Sequence, residues 1–153
     1  MYNKNSMKIS HKTLEFQTNG EFDFIDFTNE VEKFIGASQI KSGLINIQTM
    51  HTTAPLFLNE NEPLLLEDFK KHLSQISPKN EAYNHNDFTR RTVNMCDGEC
   101  QNGHSHCEAL HFPSNLVLNI VDGKLQLGQW QRIFLMELDK PKLRKVQIQG
   151  MGE

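Results

Sequence analysis

L-V-L-N-I-V-D-G-K-L-Q-L-G-Q-W-Q-R-I-F-L-M-E-L-D, residues Leu116 to Asp139, is the stretch whose reading decides the fold. Two apolar runs flank Asp122-Gly123, a dipeptide that readily takes the positive φ angles of a tight hairpin turn. The pattern predicts a β-hairpin, with Gly128 in its second arm marking a bulge or a close backbone approach. Working outward, Lys140-Pro141 predicts another turn and R-K-V-Q-I-Q (Arg144 to Gln149) a closing strand. Upstream, K-I-S-H-K-T-L-E-F-Q (residues 8–17) alternates weakly and predicts an opening strand. In G-L-I-N-I-Q-T-M (43–50), Ile45 and Ile47 share one face of a strand and Asn46 and Gln48 the other. P-L-F-L (55–58) predicts one more strand.

Two segments change period. Asn29 with Glu32 has the chemistry of a capping box, and Val31, Phe34 and Ile35 follow as an apolar stripe, predicting a helix over 28–37. Pro63 suits the first turn of a second helix. There Leu66, Phe69, Leu73 and Ile76 form one face until Ser77-Pro78 stops it. From 79 to about 113 periodicity disappears, and loops of that length inside a compact domain are usually functional. Two helices and about seven strands define an α+β fold with sheets packed as a sandwich. The 153 residues suffice for one domain with its own core, spanning 1–153, with residues 1–7 expected to be a flexible N-terminal extension.

Composition narrows the function. The net charge of -3 is spread without a basic stripe, so nucleic acid is not an expected partner. No apolar run approaches the ~18 residues of a membrane span. The opening M-Y-N-K-N-S-M-K-I-S-H-K lacks the apolar core of a signal peptide, giving the expectation of a cytoplasmic protein with reduced thiols.

The chemistry is concentrated between Tyr83 and His111, which holds four of the seven histidines and all three cysteines. Imidazole and thiolate are the side chains that bind zinc-like ions best at neutral pH. On an extended backbone His104 and His106 would point to the same side and converge on one cation. The bland alternative is two solvent-exposed loop histidines. Cys96, Cys100 and Cys107 could join His104 and His106 in a closed structural zinc site, or stand as free thiols. His51, read alone, is a satisfied structural residue. Asn59 to Glu62 is ordinary helix-start chemistry before Pro63, although a carboxylate near a metal could also act as a general base. Trp130-Gln131 is either core with an edge amide or a ligand platform.

Several spaced segments together resemble one family. Ser114 to Ile133 (S-N-L-V-L-N-I-V-D-G-K-L-Q-L-G-Q-W-Q-R-I) is similar to the signature of the YjbQ-like family, also called the secondary thiamine-phosphate synthase family. His51 to Asn61 (H-T-T-A-P-L-F-L-N-E-N) resembles its other hallmark. Asp68, Tyr83-x-His85-Asn86, Ser105-His106, Glu137 to Asp139 and Arg144-Lys145 match further positions in order. The chain departs at Gln129, where the family usually has Thr, and at Asn86 to Gly103, which replaces a short H-x-E-G loop. The resemblance implies a mixed β-sandwich with helices packed on it, assembled as a homotrimer. It implies a divalent metal such as zinc on His51, His85 and His106, with His104 an extra or replacement ligand peculiar to this chain. It also implies an enzyme acting on small molecules, a transferase that joins a pyrimidine pyrophosphate to a thiazole phosphate to give thiamine phosphate. That reaction would call for Mg²⁺ or a phosphate nest, and no nest is legible here. In the resulting scheme Glu60 is the candidate general base, and Asn59, Trp130 and Gln131 line the pocket. A zinc-dependent hydrolase of other substrates and a non-catalytic, zinc-stabilised binding protein are the alternatives.

Overall fold

A computed structural model describes residues 6–153, so the first five positions of the expected flexible extension lie outside the described residues. Strand β1 (Lys8–Gln17) begins directly after Met7. It is followed by β2 (Asp23–Asp26), helix α1 (Thr28–Ser38), β3 (Ser42–Thr49), β4 (Leu56–Asn59) and helix α2 (Pro63–Ile76). A 3-10 turn at Asn84–Asn86 and a short helix α3 (Gly103–Ala109) precede β5 (Asn115–Val121), β6 (Lys124–Leu125), β7 (Arg132–Glu137) and β8 (Leu143–Gly152). The strands form two sheets, ordered β1-β8-β3-β5-β6 and β2-β7-β4. Every ladder among the described residues is antiparallel, so the mixture in this α+β sandwich is of helices with sheets and not of strand directions.

The alternation of β7 explains the layering. Ile133 and Leu135 pack with Leu56, Ile45, Ile47 and Ile148 between the two sheets. Phe134 and Met136 point the other way, into a second cluster with Phe57 and Leu73 under α2. The three-stranded sheet is therefore the middle layer, covered on both faces, and its central strand reads as an unbroken apolar run for that reason. Helix α1 closes one side of the sandwich with Val31, Phe34 and Ile35. The outer face of the five-stranded sheet is uncovered, and β8 alternates exposed and buried residues along its whole length.

Three local expectations need correction. Asp122-Gly123 does form the hairpin turn, with φ of 51° and 72°, but the second arm is not one strand. Only Lys124–Leu125 pairs with β5; the chain then crosses over and enters the inner sheet as β7. The crossing is a turn in which the Gly128 N–H donates to Gln131 Oε1 at 2.8 Å and the Gln131 N–H to the Gly128 carbonyl at 3.0 Å, so Gly128 marks a close approach and not a bulge. The capping box is absent as well. Asp26 Oδ1 accepts from the Thr28 N–H (3.1 Å) and hydroxyl (2.7 Å), while Asn29 accepts from Arg132 at 3.1 Å. Thirdly, the long loop contains helix α3, which takes His104 and His106 out of the extended backbone first expected.

Candidate functional site

Helix α3 turns successive side chains by about 100° each, so residues two apart face nearly opposite ways. His104 accordingly points into the protein. It is 3% exposed, with Nε2 at 3.3 Å from Glu21 and from the Ser105 hydroxyl, and its Nδ1 has no partner. His106 faces the other side, where its ring lies 4.6 Å from that of His85, centroid to centroid. Gly103 makes this approach possible. A Cβ there would stand 2.5 Å from Tyr83 Cβ, and its N–H donates to Asn86 Oδ1 at 2.9 Å, tying α3 to the 3-10 turn that carries His85. His85 Nε2 is buried without a hydrogen-bond partner.

His51 joins this group from a different part of the chain. It follows β3, in a loop pinned by Thr49 Oγ1 to the Ala54 carbonyl (2.7 Å) and by Arg144 to Thr53 Oγ1 (3.0 Å). A cavity of about 470 Å³ is lined by both His51 and His106, with Cys107, Thr52 and Ser114 on its walls. The His51 Nε2 is already engaged, accepting from the backbone N–H of Lys145 at 2.7 Å.

Behind the cavity runs a buried polar network. Glu137 and Arg144 form a salt bridge inside the protein, Nε to Oε2 at 2.6 Å with a second contact from Nη2 to Oε1. Thr18 Oγ1 (2.9 Å) and the Asp139 N–H (2.9 Å) complete the Glu137 carboxylate. Burial would raise the Asp139 pKa, but bonds from Lys142 and Asn102 outweigh it and hold it at about 2. Burial, and then the charge of Arg144, depress the His51 pKa; burial, and then His85, depress that of His106. Both rings are thereby biased toward the neutral form.

The other sequence-named residues gather elsewhere. Asn59, Glu60, Trp130 and Gln131 line a separate cavity of about 390 Å³. Trp130 is 64% exposed, so it is not core. This second group sits where Asn59 pairs with Arg132, while the histidine cavity sits near Leu138, whose N–H donates to the Thr53 carbonyl. At about 3.3 Å per residue the two ends of β7 are roughly 20 Å apart. Within one copy, Glu60 does not reach the histidines.

The thiols also diverge. Cys96 is exposed, Cys100 lies 3.6 Å from Asp139 Oδ1, and Cys107 faces the cavity, all as free cysteines. Among the described residues no three His, Cys, Asp or Glu side chains converge as a metal-ligand set, so the closed Cys/His site is not assembled. Sequence reasoning missed Glu108, which is 1% exposed with an unpartnered Oε2. Burial, and then the nearby Glu21, push its pKa up to about 8. It saw the Glu137–Arg144 bridge only as a family ending; a carboxylate and a guanidinium seven residues apart across Lys140-Pro141 were the available signal.

An antiparallel two-sheet sandwich in which a histidine from a strand end and one from a short helix line one cavity, with a third beside the latter on a 3-10 turn, defines the class of protein. The description "UPF0047 protein YjbQ-like" matches residues 12–153, and the chain belongs to that family. A UPF0047 protein from Methanothermobacter thermautotrophicus is 29% identical over 147 residues, covering 96% of this chain and 95% of its own. One from Archaeoglobus fulgidus is 31% identical over 138 residues, covering 90% and 98%. The crystal structure of a YbjQ-like protein from Sulfolobus solfataricus P2 is similar with a TM-score of 0.86 at 30% identity, over 97% of this chain and all (100%) of that one. No helix among the described residues is long and apolar enough to cross a membrane.

Proposed function

We propose that the cavity between His51 and His106 is the active site of a cytoplasmic enzyme acting on phosphorylated small molecules. The observation that carries the reading is the placement of His106 between two other histidines, sharing a cavity of about 470 Å³ with His51 and lying 4.6 Å, ring to ring, from His85. The family resemblance supplies the reaction: transfer of a pyrimidine group from pyrophosphate to a thiazole phosphate, giving thiamine phosphate. That chemistry needs positive potential where pyrophosphate departs. Arg144, Lys142 and Lys145 stand around His51, each in an ion pair with a carboxylate (Glu137, Asp139 and Glu15), and a departing pyrophosphate would draw on these cations in competition with those partners.

A divalent metal that takes imidazole, such as zinc, fits this reading at His85 and His106, whereas the Mg²⁺ suited to pyrophosphate takes oxygen ligands that this pair does not offer. The buried, unpartnered Nε2 of His85 is the atom that supports it. When bound, such an ion would polarise a phosphoryl oxygen or lower the pKa of water. His104 faces Glu21 and stands apart from the pair. Glu60, with Asn59, Trp130 and Gln131, can serve the histidines only from a neighbouring copy, which is the arrangement a homotrimer with head-to-tail contacts provides.

The test is metal analysis and a synthase assay on His85→Ala and His106→Ala. Each variant is expected to lose bound metal and to lower turnover by about 10²-fold or more. Stoichiometric metal and full turnover in both variants would sink the reading.

A further inference from the structure

The hydrogen bond between His51 and Lys145 has a chemical consequence for the cavity. Strand β3 ends at Thr49, paired with Val146 of β8, and the Met50 N–H still reaches the Lys145 carbonyl at 3.3 Å. The next donor on that edge of β8, the Lys145 N–H, finds no strand opposite it and donates to His51 Nε2 at 2.7 Å instead. A backbone N–H can only donate, so Nε2 must offer its lone pair and carry no proton. The neutral ring then keeps its proton on Nδ1. Turning the ring over would put a C–H against the Lys145 N–H and leave that donor unpaired, at a cost of about 1–3 kcal/mol.

The nitrogen that remains for the cavity is therefore a donor. Arg144, Lys142 and Lys145 surround His51, and each is in an ion pair with a carboxylate, Glu137, Asp139 and Glu15 respectively, so the hydrogen bond and not the charge balance sets the role of the ring. An N–H on a residue that lines the cavity calls for an oxygen acceptor and offers a cation no lone pair. The family resemblance implied His51 as a metal ligand together with His85 and His106, and this hydrogen bond stands against that role.

We infer that His51 acts as a fixed hydrogen-bond donor through Nδ1–H, reading an oxygen of a phosphate or pyrophosphate group on the bound molecule, and does not ligate a metal. This rests on the reading of the cavity as the active site. The arrangement divides the labour: His85 and His106 keep free ring nitrogens, while His51 is locked by the backbone into the role of an electrophile.

The test uses the full chain labelled with 15N-histidine, in long-range proton–nitrogen correlation spectra with His51 assigned by substitution. The expected result is a protonated Nδ1 and a bare Nε2 on His51, unchanged by stoichiometric zinc, with the Nδ1–H signal shifting on titration with inorganic pyrophosphate. A proton on Nε2, or zinc displacing the proton from Nδ1, would overturn the proposal. Pyrophosphate that moves the His106 signals but not those of His51 also overturns it and leaves the active-site reading standing; if no histidine signal moves, both fall. Two variants add a readout independent of the label. His51→Asn keeps an N–H near the Nδ1 position and should hold pyrophosphate affinity within about tenfold, the worth of one hydrogen bond. His51→Asp puts an anion there and should lower it roughly a hundredfold or more. The reverse order, with Asp retaining affinity and Asn losing it, refutes the donor role.

Discussion

Glu108 shows what a single buried group does to the pH dependence of the whole protein. Its folded-state pKa of about 8 lies above the ordinary 4.5, so the folded protein holds a proton that the unfolded chain releases. Stability from this group is fully present below pH 4.5 and is lost as pH rises through about 8. His51, His104 and His106 act in the opposite sense. Burial lowers each from the ordinary 6.5, so their contribution is present above that value and is lost as pH falls below it. Glu108→Gln should therefore flatten the decline on the alkaline side, raising unfolding free energy at pH 8–9 by on the order of 1 kcal/mol or more and leaving the acid limb in place. Urea titrations at pH 5, 7 and 9 would check it, and equal shifts at all three would contradict the assignment. The histidines were legible in the sequence because their residue type announces the chemistry. Glu108 was not, since a glutamate on a short helix looks solvated until the segment holding Glu21 is folded over it.

Helix α3 is the element on which the sequence misled most. The motif His104-x-His106 was read with the wrong period, because a strand would have aimed both rings one way and the helix sends them to different partners. The local signal for the helix is Gly103, which the sequence offered only as a loop glycine. Its missing side chain lets the helix start against Tyr83, and that contact holds His85 beside His106. Gly103→Ala should cost about 1–3 kcal/mol through overpacking and should separate the two rings. The checks are a thermal melt together with zinc affinity; a melt unchanged within error would show that Tyr83 yields freely. The strands, by contrast, were legible nearly to the residue, because half-buried alternation leaves a period that burial alone enforces. The exceptions were β2, which the sequence reading did not name, and the segment after Leu125, where nothing local shows that a strand has changed sheets. Only the run of apolar residues from Ile133 to Leu138, with Glu137 alone interrupting it, hinted that both faces would be covered.

At the scale of the molecule, the two groups of site residues lie at opposite ends of β7. One copy therefore offers two half-sites, the histidines near Leu138 and the Glu60–Trp130 group near Arg132. If neighbouring copies join them, the variants His106→Ala and Glu60→Gln should each be inactive alone and active when assembled together. Random mixing in a cyclic trimer restores about one site in four. Mixed assemblies with no activity, although each variant is folded and trimeric, would show that the groups work separately.

The same topology has a bearing on how the chain folds as it is made. The five-stranded sheet places β8 between β1 and β3, so the last of the described strands in chain order is the one that holds the earliest to its neighbour. Until β8 emerges, β1 has no partner among the described strands, and the crossing after Leu125 keeps the inner sheet waiting on β7. Such long-range pairing slows folding and leaves strand edges open to other chains. Strand β8 must be made before this sandwich can close, and a chain without it would keep the facing edges of β1 and β3 unsealed.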